Sequence, residues 1–244
     1  MSDKYSSINC LGYKIFTDDL SKIDYKNKLV INTINQYSYC IAEKDAAFKE
    51  SLIKSDILLP DGVGITAAVK LLSGEKVAKV AGADIHKYFL EKLDKLNGRC
   101  FYMGSSNETL NKIKTRLKKD YPNLTVKTYS PPFKAVFSEL ENDRIVNEIN
   151  EFGPDVLFVG MTAPKQELWV NDNYDKINAK AICSIGAVFD FYAGTIKRAN
   201  KFWINMGLEW FIRLLKNPKK MSKRYLYYGP VYAGLLLKKK LSSI

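Results

Sequence analysis

An aspartate in a glycine-rich turn is the side chain best suited to chemistry in this sequence. Asp61 stands in the run PDGVG at 60–64, directly after the short apolar segment ILL at 57–59. Glycines give the backbone the freedom to turn an acid toward a cleft, and a carboxylate there suits a general base that acts on a hydroxyl. The same carboxylate would equally suit a cap on a helix that begins near Gly64. The spacing alone leaves both interpretations open.

A second pair of polar side chains follows another apolar segment, DVLFV at 155–159. The next residues read GMTAPKQELW, and Pro164 near a helix start places Gln166 and Glu167 in the first helical turn. Gln166 suits hydrogen bonds to the hydroxyls or the base edge of a ligand. Glu167 is either a functional acid or a capping-box acid that bonds the backbone just before the helix.

Two features suit a phosphate group. The run GSSN at 104–107 follows the apolar segment CFYM and opens a helix, whose free N–H groups attract anions. An ordinary strand-to-helix turn, capped by Ser106 or Asn107, fits the same residues. Lys79, in the run VAKVAGAD, lies close in sequence to a helix start at Asp84. Its ammonium group is either a phosphate ligand or an ordinary solvated lysine.

The residue inventory excludes several classes of enzyme. His86 is the only histidine, which nearly excludes a Ser-His-Asp triad and a multi-histidine metal site. No Asp-x-Asp occurs, so the usual carboxylate pair for a divalent ion on a nucleotide diphosphate is missing, and no dinucleotide glycine fingerprint is present. We therefore expect a carboxylate as the base, with no metal and no cofactor.

Short apolar segments alternate with amphipathic stretches and so predict the elements that hold these residues. The pattern favours an α/β fold with a Rossmann-like, largely parallel sheet and helices on both faces. Ligands bind beyond the carboxyl ends of such strands, where Thr33, Asn35, Asp61 and the turns at 104 and 160 lie. The predicted strands cover 28–33, 57–59, 99–103, 125–129, 155–159 and 181–185, and the predicted helices cover 39–54, 64–72, 84–96, 107–119, 139–152 and 165–177.

The last 48 residues carry nearly all of the net charge. Residues 197–244 hold twelve Lys and Arg and a single acid, Glu209, which gives +11 of the chain's +12. Basic side chains interleaved with aromatic rings suit an anionic membrane surface or a nucleic acid, or a solvated lysine-rich helix with an apolar core face. We predict an α/β catalytic domain over 1–196 and a basic, aromatic membrane-association appendage over 197–244, with a helix at about 201–216 that Pro218 closes.

Targeting signals and cysteine usage point to the cytoplasm. The sequence starts MSDKYSSINC without an apolar signal core, and its four cysteines form no CxxC pair. The longest strictly apolar runs have seven residues, where a spanning helix needs about 20. We therefore expect a cytoplasmic chain whose basic segment lies on the membrane surface without crossing it.

Taken in order, these motifs resemble the WecG/TagA/CpsF family of bacterial glycosyltransferases. The resemblance covers roughly residues 10–230, and its last two blocks are specific to the family. The matching text is INTIN at 31–35, LLPDGVGI at 58–65, VAGADI at 80–85, FYMGSSNE at 101–108, VGMTAPKQELW at 159–169 and SIGAVFDFYAGTIKRAN…GLEWFIRLLKNPKK from 184 to 220.

The resemblance implies an inverting, metal-independent transfer of N-acetylmannosamine, or a related sugar, from a UDP-sugar donor. The implied acceptor is undecaprenyl-diphosphate-linked GlcNAc at the inner face of the cell membrane, in teichoic acid or surface polysaccharide synthesis. Transfer of N-acetylmannosaminuronic acid or another hexose within the same family is the alternative. A nucleic-acid-binding protein with a basic arm is a distant one, because it would leave Asp61 and Gln166 without a purpose.

The resemblance also assigns roles to residues of the body. It makes Asp61 the proposed base. Thr33 and Asn35 of INTIN, together with Gln166 of PKQE, are expected to contact the donor or the reacting sugars. Asp190, in the block that starts at 184, is expected among the substrate-binding residues.

Cations must neutralise the departing diphosphate if no metal is present. The candidates are Lys79, the Gly104 turn, and Arg213 and Arg224 of the basic segment. The family commonly has arginine at the position of Lys79, and a lysine replaces a bidentate fork with a point charge. The family's usual Arg-Ala-Pro reads Arg-Ala-Asn here, ending at Asn200, which removes a rigid turn before the basic segment.

Overall fold

The computed structural model describes residues 5–242, apart from the side chains of Lys201, Asn205 and Lys220. Its centre is a six-stranded sheet in the order β4-β3-β8-β7-β5-β6, in which every described pairing is parallel. The expected parallel α/β sheet is therefore confirmed. The strands of the sheet are β3 (Leu29–Ile34), β4 (Ile57–Pro60), β5 (Arg99–Gly104), β6 (Thr125–Tyr129), β7 (Val156–Gly160) and β8 (Ala181–Ser184).

Alternate residues of each central strand enter two separate cores. In β5, Cys100 and Tyr102 pack on one face of the sheet, and Phe101 and Met103 pack on the other. Because both faces are covered by helices, the strands are apolar throughout rather than alternating with polar residues. This explains why continuous apolar runs predicted them.

Helices cover both faces of the sheet. The helices α4, α5 and α8 pack on one face, and α6 and α7 pack on the other. The helices are α1 (Gln36–Ala42), α2 (Ala46–Ile53), α3 (Val63–Ser73), α4 (Gly82–Lys95), α5 (Asn107–Asp120), α6 (Glu139–Phe152), α7 (Lys165–Asn173), α8 (Val188–Ala193), α9 (Lys201–Asn205), α10 (Glu209–Lys216), α11 (Pro218–Ser222) and α12 (Tyr228–Leu241).

An antiparallel hairpin precedes the sheet and was not predicted. It consists of β1 (Ser7–Cys10) and β2 (Tyr13–Phe16). Leu11 and Gly12 form its two-residue turn with φ of +57° and +86°, the left-handed conformations of a primed hairpin turn. Leucine is an unusual residue for this conformation, so the turn lacked the usual Asn-Gly or Asp-Gly signal.

The single helix predicted over 39–54 is wrong, because the structure has two helices there. Asp45 ends the continuity: its side chain accepts a hydrogen bond from the backbone N–H of Phe48 at 3.0 Å and caps α2. An aspartate favours this capping position over a helix interior. The helix α1 therefore ends at Ala42 and α2 starts at Ala46.

The single helix predicted over 201–216 is also wrong. Gly207 adopts φ of +74°, in the left-handed region, and separates α9 from α10. Pro218 does not close a helix but begins α11, a position that its missing N–H tolerates. Asn200, which stands where the family usually has proline, caps α9 by accepting from the N–H of Trp203 at 3.2 Å.

The C-terminal helix α12 packs against the first helix of the body. Tyr228 and Tyr232 are buried, and their rings make edge contacts with Tyr37 and Tyr39 at centroid distances of 5.1 and 5.6 Å. The hydroxyl of Tyr232 donates to the carbonyl of Gly64 at 3.0 Å. Among residues 5–242, no helix combines the length and apolarity needed to cross a bilayer. The division of the chain at 196/197 stays a prediction.

Candidate active site

Asp61 lies at the carboxyl edge of the sheet, where β4 ends. Its N–H donates to the carbonyl of Ile34 at 2.8 Å, which extends the pairing of β4 with β3 by one residue. On the other side, the N–H of Val80 donates to the carbonyl of Pro60 at 3.0 Å. The backbone before the Asp61 side chain is therefore held between the end of β3 and the loop that precedes α4.

The alternative that Asp61 only caps a helix does not match the structure. The cap residue of α3 is Gly62, which makes no side-chain cap. Gly62 has φ of +97°, a conformation that glycine adopts without strain. This turn leaves the Asp61 carboxyl free of helix capping and half-buried at the edge of the sheet.

Charged side chains from three parts of the chain act on Asp61. Burial raises the pKa of its carboxyl above the usual value, and the negative charge of Glu209 raises it further. The positive charges of Arg224, Arg213 and Lys79 lower it, in that order of strength, without cancelling the effect of burial. The structure thus brings Asp61 together with three of the predicted cations.

Asn35 connects the end of β3 to Arg224. Its side-chain oxygen caps α1 by accepting from the N–H groups of Tyr37 and Ser38 at 3.0 and 3.1 Å. The same oxygen accepts from Nη2 of Arg224 at 3.4 Å, and the guanidinium lies 4.7 Å from the centroid of the Tyr37 ring. Asn35 therefore helps to hold the guanidinium at this edge.

Two other predicted substrate-binding residues are Thr33, in β3, and Asp190, in α8. Thr33 is half-buried in β3, paired in register with Leu59 of β4, two residues before Asn35. Asp190 is in the first turn of α8, and its Oδ1 accepts from the hydroxyl of Thr195 at 3.4 Å. The neighbouring ring of Phe191 lies 5.3 Å from the guanidinium carbon of Arg213.

The Gly104 turn lies farther along the same edge. Gly104 has φ of +117°, and a Cβ there would be 2.5 Å from the carbonyl oxygen of Gly160, so only glycine fits. Ser106 caps α5 by accepting from the N–H of Thr109 at 3.2 Å. Three strands intervene between β5 and β4 in the sheet, so strand spacings of about 4.8 Å place this turn roughly 19 Å from Asp61.

Gln166 is buried and bonded to protein at both ends of its amide. Its oxygen accepts from the N–H of Gly186 at 3.1 Å, and its nitrogen donates to Oε1 of Glu167 at 2.8 Å. The amide therefore ties α7 to the turn that follows β8. The described contacts do not join Gln166 to the group around Asp61.

Glu167 is a buried acid rather than a helix cap. The cap residue of α7 is Pro164, without a side-chain cap bond. Burial raises the pKa of Glu167 to about 7, although the hydrogen bond from Gln166 opposes the shift. Its Oε2 atom has no hydrogen-bond partner within the described part of the chain.

Sequence reasoning missed the ion pair beside this site. Glu209 binds Arg198 through both carboxylate oxygens, and Lys79 Nζ lies 3.8 Å from the same carboxylate. The one available signal was that Glu209 is the sole acid in a strongly basic segment. Between residues 5 and 242, no group of three or more His, Cys, Asp or Glu side chains is placed to hold a metal ion.

A parallel sheet that presents an acid and several cations at its carboxyl edge suits an anionic, nucleotide-type substrate. Residues 5–244 match the glycosyl transferase WecG/TagA/CpsF family, and the chain belongs to that family. It is therefore a glycosyltransferase, as the sequence motifs indicated.

The chain is similar over most of its length to several enzymes that share one name. It is 32% identical to the N-acetylglucosaminyldiphosphoundecaprenol N-acetyl-beta-D-mannosaminyltransferase of Bacillus subtilis (strain 168), over 92% of this chain and 86% of that enzyme. The enzymes of the same name from Bacillus spizizenii (strain ATCC 23059 / NRRL B-14472 / W23) and Staphylococcus aureus (strain MW2) are 28% and 25% identical. The matched regions cover 91% and 81% of this chain, and 83% and 76% of the two relatives.

Proposed function

We propose that this chain transfers N-acetylmannosamine from UDP-N-acetylmannosamine to N-acetylglucosaminyl-diphospho-undecaprenol, with inversion at the anomeric carbon. The names of its relatives support this choice of sugar and acceptor. The observation that carries the proposal is the half-buried Asp61 at the edge of the sheet, among Arg213, Arg224 and Lys79. The product would enter teichoic acid or surface polysaccharide synthesis.

In this reaction Asp61 acts as the general base. It accepts the proton of the acceptor hydroxyl while that oxygen forms a bond to the anomeric carbon of the donor. The bond from the anomeric carbon to the diphosphate breaks, UDP leaves with the electron pair, and Asp61 later returns the proton to solvent. General-base catalysis of this kind contributes roughly 10²- to 10⁴-fold in rate.

The cations around Asp61 are proposed to stabilise the departing UDP. Preorganised positive groups act most strongly where negative charge develops in the transition state. Arg213 and Arg224 come from the C-terminal segment, and Lys79 comes from the loop before α4. No metal and no cofactor takes part in the proposed step.

The remaining candidates are proposed to position the substrates. Thr33 and Asn35, at the end of β3, face the reacting sugars beside Asp61. The Gly104 turn, roughly 19 Å from Asp61 by strand spacing, is too far away to meet the diphosphate held by the cations around Asp61, so its part in substrate binding stays a prediction. Gln166 is proposed to act on the donor indirectly, by holding the Gly186 turn that it binds. Asp190 is proposed to contact the substrate from α8.

The test is Asp61→Asn, assayed with UDP-N-acetylmannosamine and a short-chain, soluble GlcNAc-diphospholipid. We expect transfer to fall at least about 10²-fold while UDP affinity changes less than about tenfold, because the base acts on the acceptor. Asp143→Asn, which removes a half-exposed carboxylate of α6, is the matched control. Near-normal turnover in Asp61→Asn would remove Asp61 from the mechanism.

A panel of UDP-sugars distinguishes the proposed donor from its nearest alternatives. N-acetylmannosamine and its uronic acid differ at C6, where a neutral hydroxymethyl group is replaced by a carboxylate. We expect the N-acetylmannosamine donor to give the highest kcat/KM. A higher value for the uronic acid or another hexose would change the proposed sugar and leave the proposed base in place.

We propose that residues 197–244 form an appendage that holds the enzyme on the cytoplasmic face of the membrane. Leu226, Tyr227, Leu237 and Leu241 are exposed apolar side chains of this segment, and they lie among lysines. Such a surface suits an anionic lipid interface, where each lysine contributes about 1 kcal/mol.

Vesicle flotation tests the appendage. Changing Lys238, Lys239 and Lys240 to Ala should weaken binding to anionic vesicles in a salt-sensitive way, without changing turnover on a soluble acceptor. The matched control changes three exposed lysines of α5 to Ala, namely Lys114, Lys118 and Lys119, and removes the same charge from the body. Equal loss in the two triple variants would show that net charge alone drives binding.

A further inference from the structure

Glu209 is the acid of the site that the proposed reaction does not use. It is the only Asp or Glu in residues 197–244, among twelve Lys and Arg. It is the first residue of α10, and its side chain is only 16% exposed. Glu209 is thus a solitary, half-buried carboxylate in a basic segment, and its charge acts on the proposed base.

The carboxylate of Glu209 holds two cations with different strength. Its Oε1 and Oε2 accept from Nε and Nη2 of Arg198 at 3.1 and 3.3 Å. Two parallel charge-assisted bonds of this kind are strong and directional. Lys79 Nζ lies 3.8 Å from Oε2, an ion pair beyond hydrogen-bond distance. Arg198 is therefore firmly held, and Lys79 is loosely held.

The same contacts join three distant parts of the chain. Lys79 belongs to the loop between α3 and α4, Arg198 follows α8, and Glu209 opens α10. Arg213 lies four residues after Glu209 on α10, so the two side chains share one face of the helix. A tether at Glu209 therefore also orients the face that carries Arg213.

The charges that act most strongly on Asp61 are Glu209, Arg224, Arg213 and Lys79, and the Arg198 guanidinium also interacts with the Asp61 charge. Among them only Glu209 acts in the same direction as burial and raises the pKa of Asp61. Burial lowers the pKa of the Arg198 guanidinium, but its bonds to Glu209, with smaller contributions from Asp84 and Asp61, raise it above the usual value. Glu209 therefore acts on both Asp61 and Arg198.

We propose that Glu209 is a positioning residue of the transfer reaction, an inference that rests on the function proposed above. Its carboxylate holds the Arg198 guanidinium through two hydrogen bonds and pairs only loosely with Lys79. Lys79, rather than Arg198, is therefore the cation available to the donor diphosphate.

A purely structural tether and a charge-setting residue predict different results. Any variant that breaks a tether moves activity and affinity in one direction. Changes of opposite charge at a charge-setting pair move them in opposite directions. The Glu209–Arg198 pair therefore allows a test in which the sign of each effect decides.

The first variant is Glu209→Gln, which keeps the size of the side chain and removes its charge. We expect UDP to bind about threefold to tenfold more tightly, because Arg198 and Lys79 become available to the diphosphate. We expect kcat to fall and the acid limb of the kcat/KM profile to move down by about half to one pH unit, because Asp61 loses a negative neighbour. Tighter product binding with slower turnover is not the signature of a damaged fold.

The second variant is Arg198→Gln, which leaves the Glu209 carboxylate unpaired. UDP should bind more weakly, and the acid limb should move to higher pH, both opposite to Glu209→Gln. The double variant restores the charge balance and should return the acid limb close to its wild-type position. This return would not follow if each single change acted by loosening α10.

The control is Glu50→Gln, which breaks an exposed ion pair with Lys54 on α2. It should change neither UDP affinity nor the pH profile. If both variants of the pair weaken UDP binding and leave the acid limb in place, Glu209 is only a tether and the inference is wrong. If the wild-type chain itself fails to bind UDP, the proposed function fails first and the inference falls with it.

Discussion

Two carboxyl groups follow two strands of the same sheet, and their surroundings differ in charge. Asp61, after β4, is half-buried and faces Glu209, Arg213, Arg224 and Lys79. Glu167, in α7 after β7, is fully buried, and its hydrogen-bond partner is the neutral amide of Gln166. Burial raises the pKa of both acids, yet cations moderate the shift only at Asp61.

The difference fits the role proposed for Asp61. A base must be ionised and must reach its substrate, and partial exposure with positive neighbours suits both requirements. Three of the four charges that act on it lie in α10 and in the helical segment at 223–227, so the C-terminal segment supplies most of the charge around Asp61. The hydrogen-bond partner of Glu167, by contrast, is its neighbour Gln166 on α7.

The largest effect should follow from removing a cation at the charged edge. We expect Arg224→Ala to lower kcat on a soluble acceptor by about 10²-fold, because the leaving diphosphate loses one of its stabilising charges. Arg213→Ala should act in the same direction, and Arg224→Lys should restore part of the rate. The control is Arg144→Ala, an exposed arginine of α6. Unchanged turnover in Arg224→Ala would leave the C-terminal segment as an anchor alone.

A smaller effect should appear in the pH dependence. Because the pKa of Asp61 is raised, kcat/KM should rise with pH through a value above the ordinary aspartate pKa of about 3.9 and fall about tenfold per unit below it. Arg224→Ala removes a charge that lowers this pKa, so the acid limb of that variant should move to higher pH. An acid limb at or below pH 4 in the wild type would contradict the charged environment described for Asp61.

The smallest effect on turnover should come from changing Glu167, whose hydrogen-bond partner is neutral. The free energy of unfolding is the better measurement for this residue. The pKa of Glu167 rises from 4.5 to about 7 on folding, so the folded state binds more protons between these values and stability falls as pH rises through about 7. Glu167→Gln mimics the protonated acid and should gain about 3 kcal/mol over the wild type at pH 8.5, with little difference at pH 4.5.

Thermal unfolding at several pH values measures this difference. The control is Glu151→Gln, an exposed glutamate of α6, which should show no pH-dependent gap from the wild type. A constant gap between Glu167→Gln and the wild type across the pH range would mean that the carboxyl titrates normally.

The comparison also shows where prediction from sequence succeeded. The strands were predictable because both faces of the sheet are covered, which requires continuous apolar segments. The position of Asp61 followed from the rule that ligands meet the carboxyl ends of parallel strands. The break at Asp45 and the hairpin turn at Leu11 were missed, since a single capping side chain and one unusual turn residue leave little trace in periodicity.

By itself the sequence determined the parallel α/β fold, the family and the basic character of the last 48 residues, because these depend on local patterns and composition. Only the tertiary structure decided which charges meet at Asp61. The forked pairing of Glu209 with Arg198, and the approach of Arg224 to Asn35, join residues that lie 11 and 189 positions apart. Contacts over such distances depend on how the helices pack, and no spacing along the chain encodes them.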